Sequence, residues 1–216
     1  MFSDFLGVIY KPYWIIMSFL GLNRQTKRYV HTVIGNDWGV EAILDAGCGT
    51  GAAGIGLKEM FPAASVLFTD INKDMLLKLD ASLPLGHSCS IGVSDLSLPD
   101  HVTLLDGKKL VIERHTYDII NASANMGYSL DPEKTIAILY GALKPGGVIL
   151  NLEMNCSVWG RIVSWVYGYR ILQFNQICIS LASTGAKVSK RRISFRYFPL
   201  NLTRECILIE KPVQHS

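Results

Sequence analysis

The sequence predicts an α/β domain: a mostly parallel sheet with helices on both faces. Three observations carry that prediction. Between about residues 40 and 155, short apolar runs alternate with helical stretches, the pattern of βαβ units. A glycine-rich loop, Gly47 to Gly51, stands at the first strand-to-helix turn. After Ser183 the style shifts to two extended stretches, an antiparallel pair that closes the sheet.

The N-terminal forty residues read as helical. Pro12 opens a first helix, with Tyr13, Trp14, Ile16, Met17 and Leu20 at 3–4 spacing, and Asn23 to Ile34 forms a second before Gly35-Asn36. Val40–Leu44 is the first strand, and Ala52–Met60 a helix stopped by Phe61-Pro62. Ser65–Thr69 and Asn72–Ser82 repeat the unit; Ser88–Val93 and Tyr117–Ala122 are the next strands. Between those two, Asp106-Gly107 flanked by apolar runs signals a hairpin, with a loop and short helix as the alternative. Asp131-Pro132 starts a helix to Leu143, Lys144–Gly147 turns, and Val148–Glu153 is the fifth strand. Lys187–Phe198 and Leu202–Glu210, joined at Pro199, form the closing pair. The organisation expected is a helical lid over residues 1–38 and a ligand-binding domain over 39–216.

Composition bounds the function. With 49% hydrophobic and 18% charged residues, disorder is excluded. A mean hydropathy of +0.25 is high, yet no run of ~20 apolar residues is present to span a bilayer. The longest candidate, Phe5–Leu22, is interrupted by Lys11 and Pro12 and lacks the features of a signal peptide. Five scattered cysteines show no metal or redox spacing and read as free thiols in the cytoplasm. A net charge of +3 does not argue for nucleic acid.

The chemistry concentrates in Ile43-Leu-Asp-Ala-Gly-Cys-Gly-Thr-Gly51. Glycines there let a ligand approach the backbone at a helix N-terminus. The second strand ends in Asp70, whose carboxylate can accept from two ribose hydroxyls. Gly49–Gly54 also fits the dinucleotide pattern, so two cofactor classes compete. Asp45, beside the glycines, decides between them: next to a pyrophosphate it would cost several kcal/mol, whereas it suits a cationic ligand.

Leu44–Gly51, Phe68-Thr-Asp-Ile71, Val93–Pro99 and Leu143-Lys-Pro-Gly-Gly147 together resemble the class I (Rossmann-like) methyltransferases that use S-adenosylmethionine (SAM). The resemblance implies a Rossmann-like three-layer sandwich with a seven-stranded sheet, its last strand antiparallel. It also implies that Gly47, Cys48, Gly49 and Gly51 line the methionine part of SAM and that Asp70 holds the ribose. By the same resemblance Ile71 packs on adenine, Asp95 and Leu96 take its polar edge, and Asn121 and Ala122 face the methionine and the reaction centre. For Asp95 the alternative is a turn former.

Methyl transfer needs alignment first and a base only for some acceptors. The N-P-P-Y signature for planar amines is replaced by Asn121–Tyr128, without prolines. Candidates for polar work at the acceptor are Tyr10, Tyr13, His31, Asn125, Tyr128 and Glu153; no metal site stands out. Two aromatic segments, Tyr10–Leu20 and Val158–Ile171, point to a small hydrophobic or lipid-like acceptor reached from a membrane surface. Core or dimer contacts are the alternative for both segments, although Tyr13–Val30 also resembles quinone and phospholipid methyltransferases. The basic Lys187–Arg196 stretch reads as a charge-protected sheet edge, or as a contact for RNA or acidic substrate. RNA or protein methylation, an NAD(P)-dependent oxidoreductase and a non-catalytic SAM-binding protein remain as alternatives.

Overall fold

The computed structural model describes residues 20–35, 38–83 and 88–213. Tyr10, Tyr13 and the first expected helix lie outside these residues. Helix α1 (Leu22–Val33) leads into β1 (Ala42–Ala46), α2 (Ala52–Met60), β2 (Ser65–Asp70), α3 (Lys73–Ser82) and β3 (Cys89–Val93). A hairpin of β4 (His101–Leu104) and β5 (Lys109–Val111) follows, turning at Gly107 with φ +90°, so the Asp106-Gly107 hairpin is real. Then come β6 (Tyr117–Asn121), α4 (Pro132–Ala142), β7 (Leu143–Met154), α5 (Val158–Tyr167), α6 (Phe174–Leu181), β8 (Lys187–Arg192), α7 (Leu200–Thr203) and β9 (Arg204–Glu210).

The described strands form one nine-stranded sheet in the order β5-β4-β3-β2-β1-β6-β7-β9-β8. The seven strands expected are its core. The hairpin extends the sheet past β3 by antiparallel pairing, which accounts for the two additional strands. β9 runs antiparallel between β7 and β8, as expected of the last strand. Since both neighbours oppose β9, β8 points the same way as β7.

Alternation along the strands sorts two apolar layers. Ile43, Val66, Phe68 and Ile119 meet Val30 of α1, Leu57 of α2 and Leu76 of α3. Leu44, Leu67, Ile120 and Ile149 meet Leu139 of α4 and Ile177 of α6. Helix α1 shares this core with the sheet through Leu22, Tyr29 and Val30. Helix starts follow side-chain caps: Asn72 accepts from Met75 N–H, Asp131 from Lys134 N–H and Ser157 from Gly160 N–H.

Several boundaries differ from expectation, among them the closing strand, which starts at Arg204 rather than Leu202 because Leu200–Thr203 is helical. β1 starts at Ala42 because the N–H groups of Glu41 and Ala42 donate to the Asp118 carboxylate, both at 2.9 Å. Lys144–Gly147 is not a free turn but the irregular start of β7, where the pairing with β6 shifts register between Tyr117 and Ile119. The stretch expected to run extended to Phe198 stops at Arg192, since Tyr197 and Leu200 turn inward and join the core around Tyr29.

Candidate active site

The C-terminal ends of β1, β2, β3 and β6 form one edge, where the glycine loop and the carboxylates converge. Gly47, Gly49 and Gly51 hold φ of +63°, +54° and +74°, a region that side chains resist. Gly49 N–H donates to Asp70 Oδ2 at 2.8 Å, and Asn72 N–H to Asp70 Oδ1 at 2.8 Å. Each carboxylate oxygen keeps a further lone pair for a ligand hydroxyl. Beside it Ile71 is 68% exposed, an uncovered apolar side chain at the sheet edge. One strand along, Asp95 is exposed and its Oδ1 accepts from Ser97 N–H at 2.8 Å, which is the turn-forming role; Leu96 O accepts from Thr135 Oγ1.

Asp45 is not at the mouth of the loop. It is wholly buried below it, accepting from Gly54 N–H at 2.9 Å and from Asn121 Nδ2 at 2.5 Å. The reason is local: Gly54 has no Cβ, and one placed there would sit 2.5 Å from Asp45 Oδ2. Burial pushes the Asp45 carboxyl up to about 6 despite those two bonds, with Asp70 adding to the rise. Asp45 therefore braces the loop from beneath. Ser123 Oγ continues the network to Asn121 Oδ1 at 2.6 Å, and buried Ala122 donates its N–H to Leu150 O. Burial, with Asp45 and Asp70 nearby, raises the Cys48 thiol far above its usual range, so it stays protonated.

Asn125 belongs to the loop as well. Its Nδ2 donates to the carbonyls of Ala46 and Gly47, and a Cβ on Gly47 would sit 2.5 Å from that nitrogen. Its Oδ1 is buried without a hydrogen-bond partner, an acceptor left open beside the glycines.

The other acceptor-side candidates are dispersed. Nε2–H of His31 donates to Gly56 O at 2.9 Å, so its ring faces helix α2 and not the strand edge. Glu153 is fully buried: Oε1 accepts from Tyr169 Oη at 2.6 Å and from Met154 N–H, and Oε2 from Asn151 Nδ2. Burial raises its carboxyl, opposed by those bonds and by Arg204. Tyr128, 53% exposed, stands edge-on to Tyr169 with ring centroids 5.0 Å apart. Tyr169 was not singled out from sequence; it lies in the aromatic Val158–Ile171 segment, whose partners sequence spacing does not reveal. Ser123 and Asn151 were not singled out either, because the roles of their hydrogen bonds to Asn121, Leu152 and Glu153 depend on the folded sheet. Among the described residues, no three His, Cys, Asp or Glu side chains gather as metal ligands.

The chain is similar to known proteins in sequence and in fold. Residues 44–149 match the family described as a methyltransferase domain. A malonyl-[acyl-carrier protein] O-methyltransferase of Halalkalibacterium halodurans is 32% identical over 114 residues, 50% of this chain and 37% of that one. A second, from Magnetococcus marinus, is 29% identical over 107 residues, 50% of this chain and 36% of that protein. The chain thus spans little more than a third of the length of these relatives. A SAM-dependent methyltransferase structure from Archaeoglobus fulgidus superposes with TM-score 0.67 at 16% identity, covering 92% of this chain and 99% of that one.

Proposed function

We propose a reaction from one premise: residues 44–149 are a methyltransferase domain of the class I, Rossmann-like type, whose cofactor is SAM. The chain moves a methyl group by in-line displacement to a small, hydrophobic or lipid-like acceptor. Bound SAM supplies a methyl group activated by its sulfonium. The observation that supports the reading best is the group at the sheet edge: a carboxylate, Asp70, that fixes the glycine loop and keeps lone pairs outward, next to uncovered Ile71.

In this reading Asp70 accepts from the ribose hydroxyls, Ile71 packs on the adenine, and Asp95 and Leu96 receive its polar edge. Gly47, Cys48, Gly49 and Gly51 hold the amino-acid part, where Asn125 Oδ1 supplies an acceptor for an ammonium. Asp45, Asn121 and Ala122 act on it indirectly, by fixing the loop. Tyr128, exposed on the loop after β6, does the polar work at the acceptor; Glu153, closed in by Tyr169, sets that tyrosine's position. The malonyl-[acyl-carrier protein] relatives support a small acceptor.

Calorimetric titration with S-adenosylhomocysteine and with NADH tests the reading on the native chain and on Asp70→Ala. Binding of the first alone, lost in the variant, is the expected result. Binding of NADH in its place would overturn the assignment.

A further inference from the structure

Between Glu153 and Glu205 the chain contains no acidic residue and eight Lys or Arg. That stretch is net +8 in a chain of net +3, leaving −5 for all the rest. It also holds an uncovered apolar helix face. On α5, Val158, Trp159, Ile162 and Trp165 lie on one side at helical spacing, with Trp159 58% and Trp165 80% exposed, while Gly160, Val163 and Ser164 are buried on the other. Phe195, on the segment leaving β8, is 75% exposed.

Topology puts these features at one edge. α5 follows the C-terminal end of β7. β8 runs parallel to β7, and Glu205 of β9 pairs with both Glu153 and Arg192, so Arg191 and Arg192 end level with Glu153. Ser157 Oγ donates to Leu202 O at 2.7 Å, which fastens the start of α5 to the Phe195–Thr203 segment. Arg161, Arg191, Arg192 and Arg196 are exposed, and none enters an ion pair among the described residues. This is the edge that carries the glycine loop.

We propose that this edge docks on an anionic lipid surface, with Trp159 and Trp165 at headgroup depth and the four arginines facing lipid phosphates. The chemistry favours lipid over an acidic protein: the apolar side chains stand out from a convex helix, and indole rings flanked by guanidinium groups match the membrane–water interface. Long-range attraction by the +8 stretch brings the edge to the surface, and the tryptophans hold it there. No helix among the described residues is long and apolar enough to cross a membrane. The proposal rests on the methyltransferase reading only for what docking achieves, namely delivery of a bilayer-dissolved acceptor to the loop edge.

Co-sedimentation of the full chain with phosphatidylglycerol and with phosphatidylcholine vesicles tests it, alongside tryptophan emission. The native chain binds the anionic vesicles with a blue shift, and binding weakens as salt rises. Trp159→Ser/Trp165→Ser and Arg191→Glu/Arg192→Glu each lower the vesicle partition coefficient by roughly tenfold or more. Both double variants keep native S-adenosylhomocysteine affinity, which shows that they fold. Absence of binding to phosphatidylglycerol, or binding unchanged in both variants, overturns the proposal. So does a native dimer in sedimentation equilibrium that the tryptophan changes dissociate, because the face would then cover a second copy. Failure of the native chain to bind S-adenosylhomocysteine would overturn the methyltransferase reading while leaving vesicle binding to be judged on its own.

Discussion

A carboxyl group with no access to water, supported by two donors, sets the electrostatics below the glycine loop. Asp45 is held up to about 6, against an ordinary 3.8. Below about pH 4 it is protonated in both folded and unfolded chains and contributes nothing to pH dependence. Between about 4 and 6 the unfolded chain releases its proton first, so stability falls as pH rises, and above about 6 the loss is complete. The full loss is about 3 kcal/mol. Asp45→Asn keeps the shape, and turning the Asn121 amide lets it receive the new N–H group. We therefore expect urea unfolding free energies of the native chain to fall by about 3 kcal/mol relative to Asp45→Asn across that window. Parallel curves would mean that Asp45 ionises normally and that its two hydrogen bonds offset its burial. The sequence shows an acid next to glycines, which is a correct reading of neighbours along the chain. It does not show depth, because depth comes from Gly54, in the first turn of α2, letting the helix close over the carboxylate.

At the scale of elements, the loop after β6 and the segment after α5 are locked together. A Cβ on Gly127 would sit 2.1 Å from Arg170 O, and Tyr128 abuts Tyr169, whose hydroxyl reaches Glu153 at the end of β7. Tyr169→Phe removes one donor from a buried carboxylate that has already been raised by burial. Its loss costs about 1–3 kcal/mol in thermal or urea unfolding and raises the Glu153 carboxyl further. S-adenosylhomocysteine affinity should hold, since the Glu153–Tyr169 contact touches no glycine-loop residue. A variant of native stability would show that this hydroxyl bond contributes nothing. Elements with a clear period or cap were legible in the sequence: Ala52–Met60 and the Asp131-Pro132 helix start lie where they were expected. Lys187–Phe198 was not, because alternation there continues past the point where Ile193 and Tyr197 are drawn into the core.

Over the whole molecule, the candidate site belongs to both apolar layers at once. Asp45 ties β1 to α2 on one side of the sheet, while Asn121 and Ser123 carry the network through β6 to the Leu152 N–H of β7. This connectivity is why the parallel core and the loop were legible together: one strand-loop-helix motif fixes the strand order around it. The hairpin past β3 and the outward face of α5 depend on surfaces that periodicity alone does not assign. Because loop and layers are joined, a ligand that orders the loop must stabilise the sheet as one cooperative unit. Binding to the native state alone adds about 2.7 kcal/mol at a hundredfold excess over Kd. For a chain of this size that raises the unfolding midpoint by about 5–10 °C. Differential scanning calorimetry with S-adenosylhomocysteine should show one transition moving by that amount, and no movement in Asp70→Ala. A shift confined to part of a split transition would mean that the loop edge unfolds apart from the two layers, and that the Asp45–Asn121–Ser123 network does not couple them.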